Sequence, residues 1–265
     1  MIDSHCHLFF DSLKNNFSAI IKRSIENKIT AILSINTKME DFEKHYNLIK
    51  NYNSVYISCG QHPENVNSAN IVFTKEIVSL CTNNKVIGIG ETGIDLYHSN
   101  ENIKFQYKSF ENHIEACLET GLPLIIHQRN SENEIIDILS NYKNYSLPLV
   151  MHCFTGSKKL RNFCIDSNYY ISFSGIITFK NADNLRDIIK EVPLNLILIE
   201  TDSPFLTPSP YRGIKPNEPF YVYFIAKYLA KFFNVSLEEF EKITDNNFYS
   251  LFKKAIRYKE ILYEN

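Results

Sequence analysis

The 265-residue chain contains no tryptophan and no Cys-x-x-Cys pair, carries no excess of positive charge, and has no apolar run of membrane-spanning length. Each absence excludes something. Without paired cysteines there is no zinc ribbon or thioredoxin-type motif. The six thiols (Cys6, Cys59, Cys81, Cys117, Cys153, Cys164) are scattered and fit a reduced, cytoplasmic protein. With 28 Lys and Arg against 30 Asp and Glu, net charge −2, no global field draws in a polyanion, so any phosphate binding must be local. The most apolar stretch, 220–233, is broken by Lys227 and Lys231 and falls short of the roughly 18 residues a span needs, so no membrane partner is expected. Met1 leads straight into Ile2-Asp3-Ser4-His5, so no signal peptide is expected. No linker, repeat or low-complexity segment interrupts the chain. The 16 Tyr and 19 Phe are read as packing residues of core and helix faces.

What is present is an alternation of short apolar runs and longer helical patterns. Strands are expected near 1–7, 30–36, 54–60, 85–90, 122–127, 147–152, 169–174 and 195–201. They are rich in Ile, Val and Leu without strict alternation, as in a parallel sheet buried on both faces. Helices are expected near 12–27, 39–51, 70–83, 101–120, 131–143, 157–167 and 182–191. In 101–120, Ile103, Tyr107, Phe110, Ile114 and Cys117 recur at helical spacing, and Gly121 and Pro123 mark the stop. Two further helices are expected near 217–233 and 236–256, the second opened by Ser236-x-x-Glu239. The pattern predicts an α/β protein: a TIM-like (β/α)8 barrel with extra C-terminal helices, one domain over 1–265.

Six metal-ligand residues sit where these apolar runs end: His5, His7, Glu91, His127, His152 and Asp202. A (β/α)8 barrel places catalytic groups at the C-terminal ends of several strands. Period-two alternation puts His5 and His7 on one face of the first strand and Cys6 on the other. Gly88 and Gly90, before Glu91, allow close approach of backbone. Any one of these alone is as well explained by a core histidine or a helix-capping carboxylate; the ordered set is not. His5, His7 and Asp202 come from strands one and eight, His127 and His152 from strands five and six, and Glu91 could reach between them. This is the donor set of a two-cation site. Coordination lowers the pKa of water from about 15.7 to about 7, on the order of 12 kcal/mol towards hydroxide, more than a lone Asp or His supplies. Mixed nitrogen and oxygen donors suit Mg, Mn or Zn and do not choose among them.

Several longer motifs accompany the ligands. They are Met1-Ile2-Asp3-Ser4-His5-Cys6-His7-Leu8, Gly60-Gln61-His62-Pro63, Gly90-Glu91-Thr92-Gly93-Ile94-Asp95, Ile126-His127-Gln128-Arg129, His152-Cys153-Phe154-Thr155-Gly156-Ser157 and Glu200-Thr201-Asp202-Ser203-Pro204-Phe205-Leu206. Together they resemble the TatD family of metal-dependent deoxyribonucleases, in the family's order from residue 1 to about 250. The resemblance implies a barrel of the amidohydrolase superfamily, a divalent-metal centre on the six residues above, and hydrolysis of DNA phosphodiesters, typically 3′→5′ on single strands. It departs from the family at Ile94-Asp95-Leu96-Tyr97, where Leu-Asp-Tyr is common, at His113 where a Gln is common, and by an inserted Ile214.

The catalytic candidates are Asp202, as ligand and proton acceptor, Glu91, and His62, which by resemblance faces the site and contacts phosphate or the leaving group. Arg129 is a candidate phosphate ligand, with a structural salt bridge as the alternative. Ser157, in Thr155-Gly156-Ser157, opens a helix whose backbone N–H groups could hold an anion. Lys158, Lys159 and Arg161 are expected on a solvated helix face, and Lys253, Lys254, Arg257 and Lys259 on a solvent-facing run. His45 and His98 are expected at the surface, and Cys6 and Cys153 as packing residues. The rival activity is hydrolysis of an amide, ester or aminoacyl-tRNA ester on the same centre; a non-catalytic nucleic-acid binder fits poorly with a complete ligand set and near-neutral charge. The oligomeric state stays open, with a monomer the default.

Overall fold

A computed structural model describes residues 1–255. Eight strands follow one another in a single sheet in sequence order. They are β1 (Ile2–Cys6), β2 (Ala31–Ser34), β3 (Val55–Cys59), β4 (Val86–Asp95), β5 (Leu124–Arg129), β6 (Leu149–Met151), β7 (Tyr170–Phe173) and β8 (Ile197–Ile199). The helices are α1 (Asp11–Lys14), α2 (Phe17–Glu26), α3 (Phe42–Ile49), α4 (Thr74–Cys81), α5 (Ile103–Thr120), α6 (Glu132–Ser140), α7 (Lys158–Asp166), α8 (Asp183–Ile189), α9 (Val222–Phe232) and α10 (Leu237–Leu251). Parallel neighbours in sequence order, joined by helical crossovers, define the TIM-like (β/α)8 fold. No helix among the described residues is long and apolar enough to cross a membrane.

The backbone packs as two compact units, Met1–Ser34 with Cys153–Ser250, and Ile35–His152 with the segment from Leu251. In the first, β1 pairs with β2 (Ile2 opposite Ala31) and β7 with β8 (Ile171 opposite Ile197). β1 also lies beside β8: Ser4 Oγ donates to the Ile199 carbonyl at 2.9 Å. Past the strand ends, Asp202 N–H donates to His5 O at 3.0 Å and His7 N–H to Ser203 O at 2.7 Å. The buried Asp3 carboxylate braces the same loop, accepting Thr201 N–H at 2.8 Å and Thr201 Oγ–H at 2.6 Å. Helix α9 buries Val222, Ile225, Ala226 and Leu229, an i, i+3, i+4, i+7 stripe. Ser236 Oγ accepts from Glu239 N–H before α10, as its capping pattern predicts.

In the second unit, β3–β6 carry a core of Val55, Ile57, Val86, Ile89, Leu124 and Ile126. Each such side chain contributes about 1.5–3 kcal/mol on burial. Helix α5 stops at Gly121, φ 70°, as the sequence indicates. Gly90 has no room for a side chain: a Cβ there would lie 2.5 Å from the Ile125 carbonyl oxygen, and φ is 141°.

Several expectations need correction. β4 does not end before Glu91 but runs on to Asp95, because the polar residues after Gly90 still pair with β5 (Thr92 opposite Ile126, Gly93 opposite His127). Arg161 is not on a solvated face: it is buried, donating to Ile188 O at 2.8 Å and pairing with Glu191. Lys254 is held by the Cys81 and Asn83 carbonyls at 2.6 and 2.5 Å. His45 is buried in α3, whereas His98 is exposed as expected. Arg257 and Lys259 lie outside the described residues.

Candidate metal centre

The first unit brings His5, His7 and Asp202 together. His5 Nε2 lies 3.4 Å from His7 Nε2, and Asp202 Oδ1 lies 3.2 Å from His7 Nε2 and 3.7 Å from His5 Nε2. β1 is irregular between Asp3 and Cys6, taking three steps against two on β2. Such a bulge re-aims side chains. Asp202 itself sits in the left-handed region, φ 53°, a conformation that costs a non-glycine residue energy; its N–H is held by His5 O, and the Asp3 carboxylate fixes Thr201 before it.

The second unit gathers three imidazoles around one carboxylate oxygen. Glu91 Oε1 is 2.8 Å from His127 Nδ1, 2.8 Å from His152 Nε2 and 3.5 Å from His62 Nε2. His127 Nδ1 is 3.3 Å from His62 Nε2 and 3.4 Å from His152 Nε2. Glu91 is the extra residue of a second bulge: Gly90 faces Ile125 and Thr92 faces Ile126, so Glu91 stands outside the ladder. Its N–H is taken by Asn36 O at 3.2 Å. Burial alone would raise the Glu91 pKa, but His152, His62 and His127 together hold it well below the usual carboxylate range. His127 is moved the other way: burial works against its charge, yet Asp95 and Glu91 raise its pKa.

Both groups fit a cation. Donors 2.0–2.1 Å from one ion stand roughly 2.9 Å apart at octahedral right angles and roughly 3.4 Å apart at tetrahedral ones. The separations in both groups, 2.8 to 3.7 Å, span these values. His127 Nε2 is 2.8 Å from Asp95 Oδ2. With that nitrogen donating to the carboxylate, Nδ1 is left as an acceptor facing the Glu91 oxygen, and two acceptors at 2.8 Å require a proton or cation between them. Carboxylate–histidine–metal chains have this form.

Asp95 is the residue the sequence reading missed as a site component. Its place in Gly90-Glu91-Thr92-Gly93-Ile94-Asp95, an even number of residues past Glu91 on the same strand, was the available signal. Two further supports were missed. Glu200 Oε1 accepts from Cys153 N–H at 2.8 Å, fixing the left-handed residue (φ 44°) that follows His152. That backbone sets the direction of the Cys153 side chain, whose Sγ lies 3.2 Å from Ser174 Oγ. His113, buried, takes the Gln61 N–H on Nε2 (3.2 Å) and donates from Nδ1 to Ser109 O (2.6 Å), fixing the turn beside His62.

The outer candidates are less centred. Arg129 is exposed, its guanidinium 3.6 Å above the Tyr97 ring, and among the described residues it has no salt bridge. Ser157 caps α7, its Oγ accepting from Lys159 N–H at 3.0 Å.

A TIM-like fold with these buried histidine and carboxylate groups is the equipment of a metal-dependent hydrolase. The profile of the family described as TatD related DNase matches residues 2–253, and the chain belongs to that family. It is 38% identical over 263 residues to an uncharacterized metal-dependent hydrolase of Buchnera aphidicola, covering 95% of this chain and 98% of that one. It is 36% identical over 255 residues to the Escherichia coli metal-dependent hydrolase YcfH, covering 95% of each. The crystal structure of YJJV, a TatD homologue of Escherichia coli, superposes with a TM-score of 0.86 at 26% identity over 96% of this chain and 98% of that one.

Proposed function

We propose that this chain is a divalent-cation-dependent deoxyribonuclease that trims DNA from the 3′ end of single strands. The observation that carries the reading is the assembly of buried histidines and carboxylates into two cation-shaped groups. The family's description supports DNA as the substrate. In this proposal His5, His7 and Asp202 hold one cation (Mg, Mn or Zn), and Glu91, His127 and His152 hold another. When bound, the cations would bring the pKa of water towards neutrality and offset charge on the phosphate and the leaving oxygen. Asp202, whose Oδ1 lies 3.2 Å from His7 Nε2, accepts the proton from the attacking water. Glu91, whose carboxyl the surrounding histidines hold well below the usual carboxylate range against the effect of burial, orders the second group. His62 supplies a hydrogen bond to the phosphate or the departing oxygen. Arg129 and Ser157 contact flanking phosphates.

The test uses single-stranded oligonucleotides labelled at either end, with metal-stripped protein and with Mg²⁺, Mn²⁺ or Zn²⁺ restored, beside carboxylic ester, amide and aminoacyl-tRNA substrates. The expected result is cation-dependent shortening from the 3′ end. Undiminished degradation after stripping, or turnover confined to the carbonyl substrates, would overturn the proposal.

A further inference from the structure

The first group has an aromatic border that metal binding does not use. Phe10 lies face to face on the His7 imidazole, centroids 4.8 Å apart and planes 20° apart. Phe205 stands edge-on to both, 5.9 Å from Phe10 and 6.5 Å from His7. Phe205 follows Asp202 by three residues and its N–H donates to the Asp202 carbonyl at 3.0 Å. Phe205 is 52% exposed.

A lone exposed phenylalanine needs no explanation. This one stands on backbone that is fixed on several sides. The fully buried Asn217 donates from Nδ2 to the carbonyls of Phe205, at 2.5 Å, and Thr201, at 3.0 Å. The Leu206 carbonyl occupies the space a side chain on Gly175 would fill. The loop thus holds an apolar ring in the open, at a fixed place, against a group suited to a cation. A ligand that suits both must carry an anionic centre for the cation and a flat, apolar face one short reach away. A nucleotide has this form: its phosphate is the anionic centre and its base the flat face, and the His7 and Phe205 rings lie only 6.5 Å apart.

We propose that Phe205, backed by Phe10, is a nucleobase-stacking shelf for the nucleotide whose phosphodiester is engaged at His5, His7 and Asp202. The inference rests on the nuclease reading and names the residue that grips the substrate. Every base has a π face, so the shelf is tolerant of sequence. A base inside a duplex has both faces covered, so the shelf selects unpaired or terminal nucleotides.

The experiment compares kcat/KM, with Mg²⁺, for an oligonucleotide and for the same oligonucleotide with an abasic terminal residue. Stacking on an aromatic side chain gives the base-bearing substrate an advantage of roughly 5- to 150-fold. In Phe205→Ala this ratio should fall towards one, and Phe205→Trp should restore it. A second readout does not need turnover: quenching of a terminal 2-aminopurine in a phosphorothioate-linked oligonucleotide should be strong with the wild type and weak with Phe205→Ala. Cleavage with a ratio and quenching that ignore Phe205 overturns the shelf and leaves the nuclease standing. Phe205-dependent quenching without cleavage leaves the shelf and overturns the nuclease. No binding of either oligonucleotide overturns both.

Discussion

His127 turns one ring nitrogen towards Asp95 and the other towards Glu91, so its tautomer is set by a residue outside the ligand group. Replacing Asp95 by Asn removes the charge that raises the His127 pKa. Loss of such a partner costs about 10- to 100-fold in metal affinity. Calorimetric titration of Asp95→Asn with Zn²⁺ should show that loss with an unchanged circular-dichroism spectrum. Glu91→Ala removes the oxygen around which three imidazoles gather, and elemental analysis after dialysis should then find less bound metal than in the wild type. His113 gives a pH signature instead. Burial lowers its pKa from 6.5 to about 4, against the raising effect of its bond to Ser109. Between those values the unfolded chain takes up a proton that the folded chain refuses. Stability is therefore full above pH 6.5 and is lost as pH falls to about 4, by about 3 kcal/mol in all. His113→Gln can still accept the Gln61 N–H, and the difference between its urea midpoints at pH 7 and pH 5 should be smaller than that of the wild type.

The strands that carry the chemistry are only partly regular. Gly90→Ala places a Cβ 2.5 Å from the Ile125 carbonyl in a conformation that side chains rarely adopt. It should cost at least about 2 kcal/mol, read from the urea midpoint, and lower metal content with it. The order of strands and helices was legible in the sequence because apolar runs, glycine stops and helical spacing are local signals. The six candidate ligand residues were legible as candidates because each follows an apolar run. What was not legible is set by distant partners. The Asp95–His127 bond joins β4 to β5, the Lys254 contacts join the chain end to α4, and the burial of Arg161 depends on α8 and Glu191. The bulges at β1 and β4 were equally hidden, since extra residues are visible only against the neighbouring strand.

For the whole chain, the reading of 1–265 as one domain predicts a single cooperative thermal transition, and two calorimetric peaks would contradict it. Cations that bind only the folded chain add about 2.7 kcal/mol at a hundredfold excess over Kd. Chelation should therefore lower the midpoint by about 5–11 °C from its metal-saturated value, and a midpoint indifferent to both chelator and metal would argue against folded-state binding. With net charge −2, the attraction for a nucleic acid has to be concentrated at the site rather than spread over the surface.

Glu91 stands between paired positions rather than in one. A residue so placed does not set the pleat of its neighbours. In the proposed centre, replacing one donor type by another there would alter which ion is preferred while the hydrogen-bonded frame keeps its spacing, so cation selectivity would be free to drift on a timescale separate from that of the architecture.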